Sequence, residues 1–162
     1  MEANRRDFLT AVGAGALISA GLSSAARAED AVGFPDVEAA NVEVVNDFCA
    51  AWESMDLEKI YQYAADDITF HMTESTPPIH GKQALIDGTK QFLAPAKSAK
   101  FEVLRTQAMG NTVINERLDH FEMGETKNTF HVTGFFFLKD GKIVEWRDYS
   151  VPKTEGEADE AH

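Results

Sequence analysis

This sequence predicts an α+β domain in which helices cover one face of a curved, mostly antiparallel sheet. Three observations predict it. Residues 38–55 carry one apolar stripe at helical spacing. Residues 100–151 fall into segments that alternate at strand spacing. The breaks between those segments, "MGN", "GETK" and "KDG", hold glycine beside polar residues, which is the chemistry of tight hairpins.

The N-terminus stands apart from this plan. Arg5 and Arg6 precede a short Ala/Gly/Leu segment that ends in Ala26-Arg27-Ala28. A charged start, an apolar middle and small residues at the end make an export signal over residues 1–28. The apolar stretch is too short and too glycine-rich to span a bilayer. Its Arg-Arg-x-Phe-Leu pattern resembles a bacterial twin-arginine signal, which exports folded proteins. The expectation is cleavage after Ala28, a mature chain starting at Glu29, and a periplasmic protein with no membrane attachment thereafter.

Residues 29–37 read as a linker. The first helix, 38–55, places Val42, Val45, Phe48, Cys49, Trp52 and Met55 on one stripe. Asp56 is suited to cap a second helix, "LEKIYQYAA", with Glu58 in its first turn. "DDITFHMT" (66–73) is strand-like, and "ESTPPIHG" is a loop because Pro77 and Pro78 cannot continue a ladder. "KQALIDGTKQFL" is a third helix, stopped by Pro95. Strands follow at about 100–109, 112–123, 128–138 and 142–151. Residues 153–162 lack any large apolar side chain and read as a disordered acidic tail.

Composition narrows the function. The 162 residues include 11 Phe and are 44% hydrophobic, enough for one core. With 15 Lys+Arg against 27 Asp+Glu the net charge is -12, which repels nucleic acid. A single cysteine, Cys49, leaves no internal disulfide and no cysteine-based zinc cluster. No two histidines have metal-ligand spacing on a helix, so no metal is expected, and with no Gly-rich phosphate loop no cofactor is expected either. The expected partner is a small apolar molecule.

"NERLDHFEM" (115–123) holds the chemistry. On a strand Val113, Asn115, Arg117, Asp119 and Phe121 share one face. In the last strand Asp148 shares a face with Val144 and Trp146. A carboxylate on an apolar inward face needs a partner, and Arg117, two strands away in a meander, can supply one. Two aspartates around one arginine carry surplus negative charge if both ionise. The easier state protonates one, which makes a general acid beside a general base. The same three residues also suit a charge network that only stabilises the sheet.

"ERLDHF" followed by "DGKIVEWRDYS" resembles the limonene-1,2-epoxide hydrolase family, within the wider SnoaL/NTF2-like, ketosteroid isomerase-like superfamily. The similarity runs over residues 40–151 and includes "AADDITF", "PPIHGKQAL" and "GFFFLKDGKI". The resemblance implies a cone-shaped mixed sheet enclosing an apolar pocket, over residues 38–152. It also implies that Asp148 takes a proton from water, Asp119 protonates the epoxide oxygen, and Arg117 bridges them. Phe121, Phe130 and Val132 would line the pocket. The family holds its attacking water with a Tyr and an Asn, and alignment places Phe70 and Met72 there. His71 and Thr73 have suitable chemistry but opposite strand parity, so they would enter the pocket only through a bulge.

Three readings remain open: an epoxide hydrolase, an isomerase or cyclase of the superfamily, and a binding module whose Asp-Arg-Asp cluster fixes a ligand's polar end. Phe135 and Phe137 share one strand parity and Phe136 the other, so one set must find cover beyond the core, which suggests a homodimer interface on the outer face of the sheet.

Overall fold

Helix formation begins where the sequence supplies both a fixed φ and a favourable charge. Pro35 opens α1 (Pro35–Ala51), with Asp36 and Glu38 in the first turn, where the helix dipole favours acid. The computed structural model describes residues 35–73 and 75–150. The export signal, residues 29–34 of the expected linker and the acidic tail lie outside the described residues.

Val45, Phe48 and Cys49 of α1 are buried, and the stripe continues to Trp52 in a 3₁₀ turn, Trp52–Ser54. The helix therefore starts three residues before the expected 38 and tightens before its expected end. Met55 takes a left-handed conformation that stops it. The Asp56 carboxylate then accepts from the backbone N–H groups of Glu58 and Lys59 at the start of α2 (Leu57–Tyr61). This helix is shorter than "LEKIYQYAA", because Ala64 is already paired in β1 (Ala64–His71).

The Pro77-Pro78 loop leads into a two-residue strand the periodicity did not reveal, β2 (Ile79–His80), paired with Thr69 and Phe70. α3 (Lys82–Leu93) buries Leu85, Thr89 and Leu93 at intervals of four. The meander comprises β3 (Ala96–Met109), β4 (Thr112–Met123), β5 (Thr126–Lys139) and β6 (Lys142–Ser150). β3 begins earlier than position 100, because Ala96 and Ser98 already pair with the end of β4 across a bulge.

The six strands form one sheet in the order β2-β1-β6-β5-β4-β3. Every adjacent pair is antiparallel except β1 and β6. The sheet is curved and unclosed, in an α+β arrangement with its helices N-terminal. α1 is anchored to the β3–β4 turn: Asn41 donates to the Gly110 carbonyl at 3.0 Å, and Gly110 N–H donates to Glu38 at 2.8 Å. Between helices and sheet sits an aromatic core in which Phe48 meets Trp146 and Phe136 edge-on.

Candidate active site

Strand parity sets the site's inner wall. Along β4, Val113, Asn115, Arg117, Asp119 and Phe121 are buried while the residues between them are not. Trp146 and Asp148 project from β6 toward the same interior. Between these strands runs β5, with Gly134 opposite both Asn115 and Asp148. A Cβ on Gly134 would overlap Arg117 Nη1 and come within 2.8 Å of Asn115 Oδ1. The missing side chain is what allows an arginine on β4 to reach across β5 to an aspartate on β6.

Arg117 is fully buried. Its Nε donates to Asp119 Oδ1 at 2.8 Å and its Nη2 to Asp119 Oδ2 at 3.1 Å. The same Nη2 donates to Asp148 Oδ2 at 2.7 Å, and Nη1 donates to Asn115 Oδ1 at 3.1 Å. The Phe101 ring lies 4.8 Å from the guanidinium carbon. The other oxygen of Asp148 accepts the Trp146 indole N–H at 2.6 Å. Asn115 is held in turn by donating to Cys49 Sγ at 3.3 Å.

Burial alone would lower the Arg117 pKa, but Asp148 and Asp119 more than reverse that, and the guanidinium stays charged. Burial pushes Asp119 up to about 6, against the opposing pull of Arg117. Burial also raises Asp148, against Arg117 and the Trp146 hydrogen bond. One guanidinium thus serves two carboxylates that both resist ionisation. Asp148 has an extra donor, the neutral indole, which favours its anion against the burial that raises it. Cys49 is a buried thiol whose pKa burial pushes up to about 12, so it is no nucleophile.

Asp119 and Asp148 open onto a cavity of about 380 Å³, within the range of small-molecule pockets. Phe70, Met72, Thr73, Phe121, Phe130 and Val132 all line it. Phe92 and Phe130 remain half exposed, and Phe121 packs against both, at 5.0 and 6.2 Å between ring centres.

His71 does not enter the cavity, which corrects its inclusion among the pocket residues. The β1 irregularity falls between Ala64 and Thr69, and beyond it Phe70 faces the cavity, so the adjoining His71 faces the other side of the strand. From Thr69 onward β1 follows β6 in regular register, and the His71 ring faces the Glu145 carboxylate at 3.4 Å. Thr73 lies beyond the end of β1 and escapes its parity; its hydroxyl bonds Thr76 at 3.0 Å and Ser75 at 3.3 Å. Phe70 packs 4.0 Å from the Trp146 ring, so a hydrocarbon wall stands beside Asp148.

Sequence reasoning passed over Asn115 and Gly134 as site residues, and Tyr61 and Thr89 as cavity residues. A lone glycine inside "FHVTGFFFL" was the available signal for Gly134, since such a residue marks close approach of another group. Tyr61 and Thr89 gave none. Among the described residues, no group of three or more His, Cys, Asp or Glu side chains is placed to hold a metal ion.

Residues 39–152 match the family model for the limonene-1,2-epoxide hydrolase catalytic domain. A solved structure of an M. tuberculosis LEH-like epoxide hydrolase is similar at 24% identity, covering 70% of this chain and 84% of that one, with a TM-score of 0.64. A putative SnoaL-like polyketide cyclase from Jannaschia sp. shares 15% identity over 70% of this chain and 87% of its own, with a TM-score of 0.62. A Catenulispora acidiphila protein with a ketosteroid isomerase-like fold shares 16% identity over 66% and 84%, with a TM-score of 0.61. At these identities the solved structures show a shared fold.

Proposed function

The chain belongs to the limonene-1,2-epoxide hydrolase family, and from that premise we propose that it adds water to a small apolar epoxide in one step. The observation that carries this reading is Arg117 Nη2, which bonds Asp148 at 2.7 Å and Asp119 at 3.1 Å in the wall of an apolar cavity. Asp148, ionised, takes a proton from water as the water oxygen attacks an epoxide carbon. The carbon–oxygen bond on that carbon breaks, and the oxygen takes the proton of Asp119. The product is a diol. The aspartates now hold their one proton on the other side, and its return from Asp148 to Asp119 restores the starting state. Arg117 spans both and stabilises whichever is charged. Concerted acid and base assistance of this kind contributes on the order of 10²–10⁴-fold each.

A second reading follows from the Phe70 wall. The family's water-holding Tyr and Asn align with Phe70 and Met72, and neither side chain can clamp a water. With Phe70 packed against Trp146, the same acid–base pair suits a proton shuttle on carbon, as in an isomerase or cyclase. A panel of small epoxides in ¹⁸O-labelled water, read by mass spectrometry, separates the two. Singly labelled diol supports the hydrolase. No diol, together with deuterium exchange at carbon on a cyclic enone, transfers the site to the isomerase reading.

We also propose that the enzyme is exported to the periplasm and forms a homodimer. The dimer proposal rests on the outer sheet face, where Phe135 meets Tyr149 edge-on and Arg147 covers Phe137. A dilute monomer by light scattering would overturn it.

A further inference from the structure

The cavity has a second polar feature, on its helical side. Tyr61, at the end of α2, and Thr89, in α3, both line the cavity, and their hydroxyls lie 2.5 Å apart. Both side chains are buried, Tyr61 with 2% and Thr89 with 9% exposure. Their surroundings are apolar, and burial pushes the Tyr61 phenol up to about 12, so it keeps its proton.

Two hydroxyls carry two hydrogens, and one shared bond uses one of them. Among the described residues, neither oxygen has any further protein partner. One O–H therefore has no protein acceptor, and a buried donor without an acceptor is costly. The carboxylates sit on strands β4 and β6, whereas this pair sits on helices, so the cavity has polar groups on its helical side as well as on its sheet side.

We propose that the Tyr61–Thr89 hydroxyl pair is a substrate-orienting subsite, and that the preferred substrate carries an acceptor oxygen in addition to its epoxide. The substrate class is an oxygenated apolar molecule: a hydrocarbon skeleton with a ketone, ether or hydroxyl held by this pair. The epoxide is then presented to Asp119 and Asp148. This rests on the reading of the cavity as an epoxide site, but its test does not depend on turnover.

Trp52 and Trp146 line the cavity, so binding can be followed by intrinsic fluorescence. The probes are p-menthane and its ketone, menthone, which share a carbon skeleton and differ in one acceptor. The intact protein should bind menthone about tenfold tighter, the effect of one hydrogen bond gained in an apolar site. In Tyr61→Phe/Thr89→Val, which removes both hydroxyls and leaves no orphan, the two affinities should become equal through loss on menthone alone. The single variants show which hydroxyl faces the ligand, and they keep the test decidable if the double variant does not fold: at least one should lower the preference several-fold. Equal binding of both probes by the intact protein overturns the proposal. So does an undiminished menthone preference in the variants. Menthone preference without epoxide turnover would instead retain the subsite and refute the hydrolase.

Discussion

Replacing Asp119 with Asn should remove turnover yet make the protein more stable at mildly alkaline pH. The folded state raises the Asp119 pKa from 3.8 to about 6, with burial as the main cause. Between those values the folded protein keeps a proton that the unfolded chain has released. Stability therefore falls as pH rises through that window, and it stays low above it. At 1.36 kcal/mol per unit, the loss is on the order of 3 kcal/mol. Asparagine does not titrate, so the variant lacks this loss. Its amide hydrogens face Arg117 where Asp119 Oδ2 accepted a bond, which costs about 1 kcal/mol at every pH. Asp148, no longer sharing the guanidinium with a second carboxylate, becomes easier to ionise, which flattens the dependence further. The two stability curves should thus cross: Asp119→Asn less stable near pH 4, and more stable by roughly 2 kcal/mol near pH 8. Urea unfolding of both proteins across that range measures this directly. Parallel curves would refute the reasoning, because they would mean that Asp119 titrates alike in the folded and unfolded chain.

Asp148→Asn should abolish turnover while leaving the fold intact, and near-normal turnover by that variant would remove the base from the mechanism. Activity of the unaltered enzyme should rise as Asp148 ionises and fall again at higher pH once Asp119, raised to about 6, has lost its proton; a rate with no falling limb at alkaline pH would show that no protonated carboxyl is needed. Gly134→Ala should displace the guanidinium, since its Cβ would overlap Arg117 Nη1. We expect a loss of about 1–3 kcal/mol of stability and about 10²-fold in turnover, read by thermal melting and kinetics. Arg117→Ala should be the most damaging to the fold, on the order of 3–5 kcal/mol, because it leaves two buried carboxylates without a counter-charge; a small melting shift would show that both simply take up protons.

What the sequence determined by itself was whatever depends on near neighbours along the chain. Parity put Asn115, Arg117 and Asp119 on one side of β4 and Trp146 with Asp148 on one side of β6, because a strand's period is two. The Asp56 cap and the Gly110, Gly124 and Gly141 turns were legible for the same reason, since each is completed within a few residues. Tertiary structure decided the rest. The parallel pairing of β1 with β6 joins segments far apart in sequence, and it holds the His71 side chain on Glu145, away from the cavity. The β1 strand ends at His71, which frees Thr73 from the strand's alternation and brings it to the cavity. Gly134 acquires its meaning only once β5 lies between β4 and β6, where a missing Cβ becomes the space an arginine crosses. Tyr61 and Thr89 belong to helices whose periodicity marks a buried face but not what that face meets. Only the packing of α2 and α3 over the sheet brought those two hydroxyls together.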